Sequence, residues 1–214
     1  MSLNKEFEIA DFYEVQNITD YENSHRARFD FLIEDLKLNS LKDQKIIDIG
    51  CGPGFIHKRL SNDIQKNYTG IDGADLKNLP FSYSKVDLDN FITTEKRKYD
   101  VALCFETLEH LCNPYNCLLQ IKNMLKLDGI AYISIPDTNV THNTIYPGLL
   151  YPIHNFIQFL DQMAFEIVEH KIHDKAWTQH VFVLRNKDWS FSKMLFYKGE
   201  DKFRNVPPHV AVNL

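Results

Sequence analysis

The sequence lacks any long apolar run and any stretch of concentrated positive charge. No apolar run approaches the ~20 residues of a membrane-spanning helix, and the start, MSLNKEFEIA, lacks the apolar core of a signal peptide. We therefore expect a cytoplasmic protein with no membrane partner. The 214 residues carry a formal net charge of −5 with lysine and arginine scattered, so nucleic acid is an unlikely partner.

Cysteine is also scarce. The chain has four cysteines, Cys51, Cys104, Cys112 and Cys117, and no CxxC pair. This usage indicates reduced, buried thiols rather than a disulfide framework. A chain of this length can bury a sizeable core without disulfides or a metal.

The chain from Lys45 onward alternates between short strand-like runs and helical stretches. Strands are predicted at 45–50, 68–72, 82–88, 99–105, 130–136, 165–172 and 180–185, and helices at 55–63, 117–126 and 155–163. This alternation indicates an α/β fold with a mainly parallel sheet. The last two strands are too close for a helix between them, so we expect an antiparallel closure. Gly129 is expected to end the helix at 117–126 as a left-handed cap.

The organisation predicted around this core has three parts. Residues 1–40 form an N-terminal helical segment, in which 21–38 is expected to be one amphipathic helix. Residues 41–185 form the main domain, and residues 186–214 form a C-terminal tail.

The run IIDIGCGPGF at 46–55 has glycine at every second position, Gly50, Gly52 and Gly54. Glycine has no Cβ, so backbone amides after a strand can approach a ligand closely. The dinucleotide fingerprint requires a glycine where this chain has Phe55, and no Gly-Lys-Ser/Thr follows for a P-loop. The spacing therefore favours S-adenosylmethionine (SAM) as the ligand.

The run resembles motif I of the class I SAM-dependent methyltransferases. YTGID, SKVDLD, YDVALCFETLEHL and LKLDGIAYISIP resemble the later strand-end motifs of that family, and the resemblance covers about residues 21–185. It implies a Rossmann-like, doubly wound, seven-stranded, mainly parallel sheet with an antiparallel last strand. The stretch between Asp72 and Val86 is short for a crossover helix, so we expect a short helix or loop there.

The resemblance also implies a set of cofactor-binding residues. Asp72 would bind the ribose hydroxyls, Asp87 would face the adenine amino group, and Arg28 would lie near the methionine carboxylate. The full predicted set is Arg28, Asp48, Gly50, Cys51, Gly52, Gly54, Phe55, Asp72, Gly73, Asp87, Leu88 and Phe105.

The stretch FETLEHL contains E-x-x-E-H, formed by Glu106, Glu109 and His110. On a helical turn these positions share one face. They could bind Mg²⁺ or Mn²⁺. Alternatively, His110 with Glu109 could act as a metal-free catalytic base, or the residues could have a structural role. The motif resembles the metal site of ubiquinone-biosynthesis O-methyltransferases and of small-RNA 3′-end 2′-O-methyltransferases. In the latter a second histidine follows strand five, so this resemblance implies His154 as a further ligand, with His142 as its rival.

The favoured hypothesis is a SAM-dependent O-methyltransferase for a small hydroxylated acceptor, such as a sugar of a surface polysaccharide or a secondary metabolite. The resemblance implies that the acceptor site is built by the N-terminal segment and by the insert at 137–155. The aromatic residues that could close it from the N-terminal side are Phe7, Phe12, Tyr13 and Tyr21. A metal-dependent RNA 3′-end 2′-O-methyltransferase is one alternative, and the net negative charge of the chain counts against it. A non-catalytic SAM-binding domain is another, and the intact E-x-x-E-H counts against it.

Overall fold

A computed structural model describes residues 18–137, 153–173 and 178–189, which form one seven-stranded sheet. The strands are β1 Ile46–Ile49, β2 Tyr68–Asp72, β3 Ser82–Lys85, β4 Tyr99–Phe105, β5 Leu125–Pro136, β6 Phe165–His173 and β7 Gln179–Asn186. Their order across the sheet is β3-β2-β1-β4-β5-β7-β6. Strands β1 to β5 are parallel, and β7 runs antiparallel to both β5 and β6. The predicted fold class, with its antiparallel last strand, is confirmed.

The described helices lie on both faces of this sheet. They are α1 Ile18–Ser24, α2 Arg26–Glu34, α3 Asn62–Gln65, α4 Pro114–Met124 and α5 Ile153–Gln162, with short 3-10 turns at Leu38–Ser40, His57–Arg59 and Leu108–His110. None of these helices combines the length and apolar character that a membrane crossing requires.

Two apolar clusters hold the layers together. On one face, side chains of α4 and α5 such as Leu118 and Phe156 pack on Ile133 of β5. On the other face, Leu32 of α2 packs with Ile46 of β1. All four residues of β1 are buried, as expected for a central strand covered on both sides. The N-terminal helix therefore packs on the sheet itself, while the three-part division of the chain stays a prediction.

Several predicted elements match closely. The bounds of β2 and β4 are as predicted, β3 ends at Lys85 rather than Leu88, and the described residues between β2 and β3 form no helix. The four cysteines are free thiols, of which Cys112 alone is partly exposed.

The prediction of one continuous helix over 21–38 is wrong. α1 ends at Ser24 and α2 begins at Arg26. The hydroxyl of Ser24 donates to the carbonyl oxygen of Tyr21 at 2.8 Å, and the ring Nδ1 of His25 lies 2.7 Å from the same oxygen. The backbone N–H of His25 keeps its bond to the same oxygen at 3.1 Å. The break lies in the backbone of His25 itself, whose φ of −106° and ψ of 7° are not helical.

The helix predicted over 55–63 is also broken. Only the turn at His57–Arg59 and the short α3 form, and both Leu60 and Ser61 are extended. The backbone N–H of Ser61 donates to Oδ1 of Asn39 at 2.8 Å. A contact with a residue distant in sequence therefore takes the N–H that a continuous helix would use.

Gly129 does not cap a helix. α4 ends at Met124 and β5 follows directly, so Gly129 lies within β5. The left-handed residue is Asp128, with φ 59°. A Cβ at Gly129 would lie 2.9 Å from the carbonyl oxygen of Lys126 and 3.0 Å from that of Asp100, so glycine here permits a close backbone approach.

Lys122 is a buried cation near the end of α4 that links three segments. Its Nζ donates to the carbonyl oxygens of Ala164 at 3.2 Å and Lys187 at 2.8 Å, and to Oδ1 of Asn186 at 2.8 Å. Burial lowers the pKa of Lys122 to about 8. Three acceptors around one ammonium group make the buried charge tolerable.

Replacing Lys122 with Met should lower the free energy of unfolding by about 2–3 kcal/mol, because three buried acceptors lose their donor. The matched control is Lys126→Met, which removes only a half-exposed ion pair with Asp100 and should cost less than about 1 kcal/mol. Urea unfolding of both variants measures the difference. Equal losses would show that the three bonds of Lys122 add nothing to stability.

Candidate active site

The loop after β1 holds its three glycines in left-handed backbone conformations. The φ angles are 74° at Gly50, 50° at Gly52 and 87° at Gly54, a region that side-chain-bearing residues rarely adopt. Crowding adds a second requirement, because a Cβ at Gly50 would lie 2.1 Å from Oγ1 of Thr107. The loop is thus packed tightly against the turn that follows β4.

Asp72, at the carboxyl end of β2, fixes this loop. Its Oδ2 accepts the N–H of Gly52 and its Oδ1 accepts that of Ala74, each at 2.9 Å. Burial raises the pKa of Asp72, while hydrogen bonds from the amides of Ala74, Gly52 and Gly73 oppose the rise. Both carboxylate oxygens thus hold backbone amides in this structure. The ribose contact expected of Asp72, with Gly73 beside it, stays a prediction.

Asp48, within β1, is 3% exposed and accepts a hydrogen bond from the hydroxyl of Tyr68. Burial raises the pKa of Asp48 to about 7; the bond from Tyr68 opposes this rise and the charge of Asp72 adds to it. Asp48 therefore titrates near neutral pH. Its position in the first strand places a carboxyl group directly beneath the glycine loop.

Aromatic rings form one wall beside the loop. Phe55 stacks on Phe29 of α2 with ring centroids 5.2 Å apart, and lies 5.4 Å from the ring of Tyr21 of α1. On the other side, a Cβ at Gly54 would lie 2.7 Å from Cε1 of Phe81. The bulky ring at position 55 thus packs against the N-terminal helices.

A cavity opens between the glycine loop, these helices and the end of β4. Its lining contains many of the predicted cofactor-binding residues, namely Arg28, Asp48, Gly50, Cys51, Gly52, Phe55 and Phe105, and also Tyr21 and Glu106. Gly54, Asp72, Gly73, Asp87 and Leu88 are not part of this lining. The structure therefore brings together the predicted residues of the first strand, the glycine loop and the N-terminal helix.

Asp87 and Leu88 lie beyond β3. The carboxylate of Asp87 accepts the backbone N–H of Asp89 at 3.0 Å and the side-chain N–H of Asn90 at 2.8 Å, so it stabilises its own turn. Leu88 is buried beneath it. Their predicted adenine contacts stay predictions.

Arg28 and Glu106 meet at the cavity across a large sequence separation. Nη1 of Arg28 lies 3.5 Å from Oε2 of Glu106, and the two side chains are 4% and 9% exposed. Nη2 of Arg28 donates to the hydroxyl of Tyr21 at 3.3 Å. Oε1 of Glu106 accepts the hydroxyl of Ser134 at 2.8 Å.

The E-x-x-E-H residues do not share a helical face, so the prediction from their spacing is wrong. Only Leu108–His110 forms a 3-10 turn, and Glu106 precedes it with a left-handed φ of 50°. Glu109 is buried, and burial followed by the charge of Glu106 raises the pKa of Glu109 well above its ordinary value. The side chain of His110 is 40% exposed, with its Nε2 3.8 Å from Oε1 of Glu109.

The predicted metal ligands are not arranged as one ligand set. Within residues 18–137, 153–173 and 178–189, no group of three or more His, Cys, Asp or Glu side chains could hold a metal ion. Glu106 is engaged by Arg28 and Ser134, and His154 is exposed in the first turn of α5. These residues do not fit Mg²⁺ or Mn²⁺ in this arrangement; metal use stays a prediction. The rival His142 lies outside the described residues.

Sequence reasoning missed Tyr68, Thr107 and Ser134. Tyr68 reaches Asp48 because the parallel register pairs it with Ile46. Ser134 reaches Glu106 because it is the β5 partner of Phe105. Each contact depends on strand register, which no local pattern shows.

The cavity fits the chemistry of SAM. Arg28 offers a cation for a ligand carboxylate, Asp48 and Glu106 place acidic side chains at the same cavity, and Gly52 allows close backbone approach. A doubly wound sheet with this site at the carboxyl end of β1 defines a class I SAM-dependent methyltransferase domain.

The chain belongs to the methyltransferase-domain family, whose family model, described as "Methyltransferase domain", matches residues 23–188. It is 31% identical over 147 residues to a ubiquinone biosynthesis O-methyltransferase of Glaesserella parasuis, covering 58% of this chain and 62% of that protein. It is 30% identical over 119 residues to a protein of the same name from Rickettsia bellii, covering 50% of this chain and 49% of that protein. The chain thus spans less than two thirds of these relatives.

Solved structures share the fold at low identity. The 1,6-didemethyltoxoflavin-N1-methyltransferase of Burkholderia thailandensis, with bound 1,6-didemethyltoxoflavin and S-adenosylhomocysteine (SAH), superimposes with TM-score 0.62, 14% identity and coverage of 86% of this chain and 87% of that chain. The magnesium protoporphyrin IX methyltransferase of Synechocystis, with bound SAM, gives TM-score 0.60, 12% identity and coverage of 87% and 99%. At this identity the likeness shows the fold.

The raised pKa of Asp48 predicts a pH-dependent stability difference. The folded protein keeps the Asp48 proton up to about pH 7, whereas the unfolded chain releases it near pH 4. Ionisation of Asp48 therefore destabilises the folded state as pH rises from about 4 to 7. Relative to wild type, Asp48→Asn should become more stable across this window, by about 2–4 kcal/mol in total.

Urea unfolding at several pH values measures this difference, and asparagine can still accept the Tyr68 hydroxyl. Buried titratable groups near Asp48, namely Asp72, Cys51, Tyr68 and Cys104, are present in both proteins, so their direct contribution to the pH dependence of stability cancels. Asp63→Asn on exposed α3 is the control and should show a flat difference. A flat difference for Asp48→Asn as well would contradict the raised pKa.

Proposed function

We propose that the chain is a SAM-dependent O-methyltransferase acting on a small hydroxylated acceptor, such as a sugar of a surface polysaccharide or a secondary metabolite. The observation that supports this proposal most directly is the imidazole of His110, whose side chain is 40% exposed on the turn after β4 and lies 3.8 Å from the buried carboxyl group of Glu109. The O-methyltransferase names of the sequence relatives support oxygen as the methylated atom.

The reaction requires alignment and removal of one proton. Bound SAM supplies a methyl group on a positively charged sulfur; the methyl–sulfur bond breaks, its electron pair stays on sulfur, and a carbon–oxygen bond forms. A neutral hydroxyl must lose its proton during this attack. His110 accepts that proton on its imidazole, and the tight packing of the glycine loop holds the reacting groups in line.

The acceptor site is proposed to lie where the N-terminal segment and the insert at 137–155 meet the carboxyl ends of β4 and β5. Tyr21 supports this placement, because it is the one predicted acceptor aromatic among the described residues and it lines the cavity. Phe7, Phe12, Tyr13 and residues 138–152 lie outside the described residues. A cytoplasmic location is part of the same proposal.

Replacing His110 with Ala should slow methyl transfer about 10²-fold or more while leaving SAH affinity nearly unchanged, because the side chain acts on the acceptor proton. Transfer of a labelled methyl group from SAM to a panel of hydroxylated acceptors, with calorimetric titration of SAH, measures both. His170→Ala, on the exposed part of edge strand β6, is the matched control. Unchanged turnover in His110→Ala would remove this residue from the mechanism.

Chelation tests whether the reaction uses a metal ion. Because Glu106 is engaged by Arg28 and Ser134, we expect EDTA to leave methyl transfer unchanged. The same assay is repeated after adding back Mg²⁺ or Mn²⁺. Loss of transfer in EDTA and its recovery with either ion would instead support a mechanism in which a metal ion activates the acceptor hydroxyl.

The acceptor panel also distinguishes an RNA methyltransferase and a non-catalytic domain from the proposed enzyme. Preferential transfer to the 3′ end of short single-stranded RNA would favour the RNA methyltransferase hypothesis over the proposal. SAH binding without transfer to a small molecule or to RNA would favour a non-catalytic SAM-binding domain.

A further inference from the structure

Glu106 occupies a backbone conformation that needs an explanation. It follows β4 directly with φ 50°, and a residue with a side chain in this region of backbone conformation is strained. Such strain persists only where surrounding contacts enforce it. Glu106 is also part of the E-x-x-E-H stretch, so its geometry bears on what that stretch does.

One residue of β5 enforces this conformation. The hydroxyl of Ser134 accepts the backbone N–H of Glu106 at 3.0 Å and donates its own hydrogen to Oε1 of Glu106 at 2.8 Å. Ser134 thus binds both the main chain and the side chain of Glu106. With Oε1 engaged in this way, Oε2 of Glu106 is directed towards Arg28.

The contact between Glu106 and Arg28 is buried but long. Nη1 of Arg28 lies 3.5 Å from Oε2 of Glu106, with both side chains less than a tenth exposed. Charge-assisted bonds of this kind are usually about 2.7–2.9 Å. The pair is close enough to hold the guanidinium in place, and loose enough for a ligand carboxylate to bind the same fork.

Charge in the cavity indicates which ligand group goes there. Among the described lining residues, Arg28 carries the only positive side chain, and Asp48 and Glu106 carry the acidic ones. A ligand with an amino-acid end therefore finds a cation for its carboxylate at Arg28. Glu106 holds that guanidinium towards the cavity by charge, and the hydroxyl of Tyr21 adds a neutral hydrogen bond.

We propose that Glu106 is a positioning residue for cofactor binding: clamped by Ser134, it holds Arg28 so that the guanidinium receives the carboxylate of the SAM amino-acid end. This inference rests on the proposed function, because it takes SAM as the ligand. It assigns Glu106 to the cofactor and not to a metal or to the acceptor.

Two related ligands test the proposal. SAH carries the amino-acid end, and 5′-methylthioadenosine has the same adenosine and thioether without it. In Glu106→Gln the amide can keep the bond to Ser134 while the charge is lost. We expect SAH affinity to fall about tenfold and methylthioadenosine affinity to stay within twofold, measured by calorimetry on the full chain.

A second variant, Arg28→Met, shows whether Glu106 affects SAH affinity through Arg28. Arg28→Met should lower SAH affinity further and again spare methylthioadenosine. Adding Glu106→Gln to Arg28→Met should then change neither affinity, because no guanidinium remains to be positioned. Glu166→Gln, the same chemical change in an ion pair with Arg185 near the far end of β7, is the control and should leave both affinities unchanged.

The outcomes separate the two proposals. A wild-type chain that binds neither SAH nor SAM refutes the proposed function. A wild-type chain that binds SAH, with equal losses for both ligands or no loss in Glu106→Gln, overturns the positioning role alone. If Glu106→Gln fails to fold, Ser134→Ala takes its place in the comparison of SAH affinity with methylthioadenosine affinity. This variant keeps the charge of Glu106 and removes the hydroxyl that binds it.

Discussion

The site depends on the two hydrogen bonds that the carboxylate of Asp72 accepts from the amides of Gly52 and Ala74. They join the loop after β1 to the end of β2, so the left-handed glycines cannot relax into another turn. Burial of the Asp72 carboxylate is unfavourable and raises its pKa. The hydrogen bonds from backbone amides offset part of this unfavourable burial. Once this loop is fixed, the cavity floor, the aromatic wall at Phe55 and the position of Asp48 follow from packing.

The strand-like runs and the glycine spacing predict most of the fold, and they predict the part of the site formed by the first strand and the glycine loop. The strands were recognisable because fully buried β-rich runs such as β1 have a strong local signal, and the glycine loop was recognisable because its backbone requirement is local. The helix breaks were not, since a tertiary contact such as that between Asn39 and Ser61 outweighs helical propensity. The contact of Arg28 with Glu106, 78 residues apart, depends on how α2 packs on the sheet, and no pattern along the chain shows it.

The two glutamates of E-x-x-E-H illustrate why spacing alone misleads. A helical turn would place them side by side as oxygen ligands. The left-handed backbone at Glu106 directs it towards Arg28 and Ser134, and the 3-10 turn buries Glu109 behind His110. Identical side chains three residues apart thus have different surroundings. We attribute cofactor positioning to Glu106 and support of the imidazole to Glu109.

The distribution of thiols has a practical consequence. Cys51 is packed against Gly70, and Cys104 and Cys117 are in the core, so all three are buried. Burial raises the pKa of Cys51, and a hydrogen bond with Cys117 together with burial raises that of Cys104. Both thiols are therefore unreactive at neutral pH. Cys112 alone is partly exposed, and it lies two residues after His110. A thiol-specific fluorophore would therefore attach close to His110 without engineering, and a change in its emission on adding an acceptor would test the proposed place of the acceptor site.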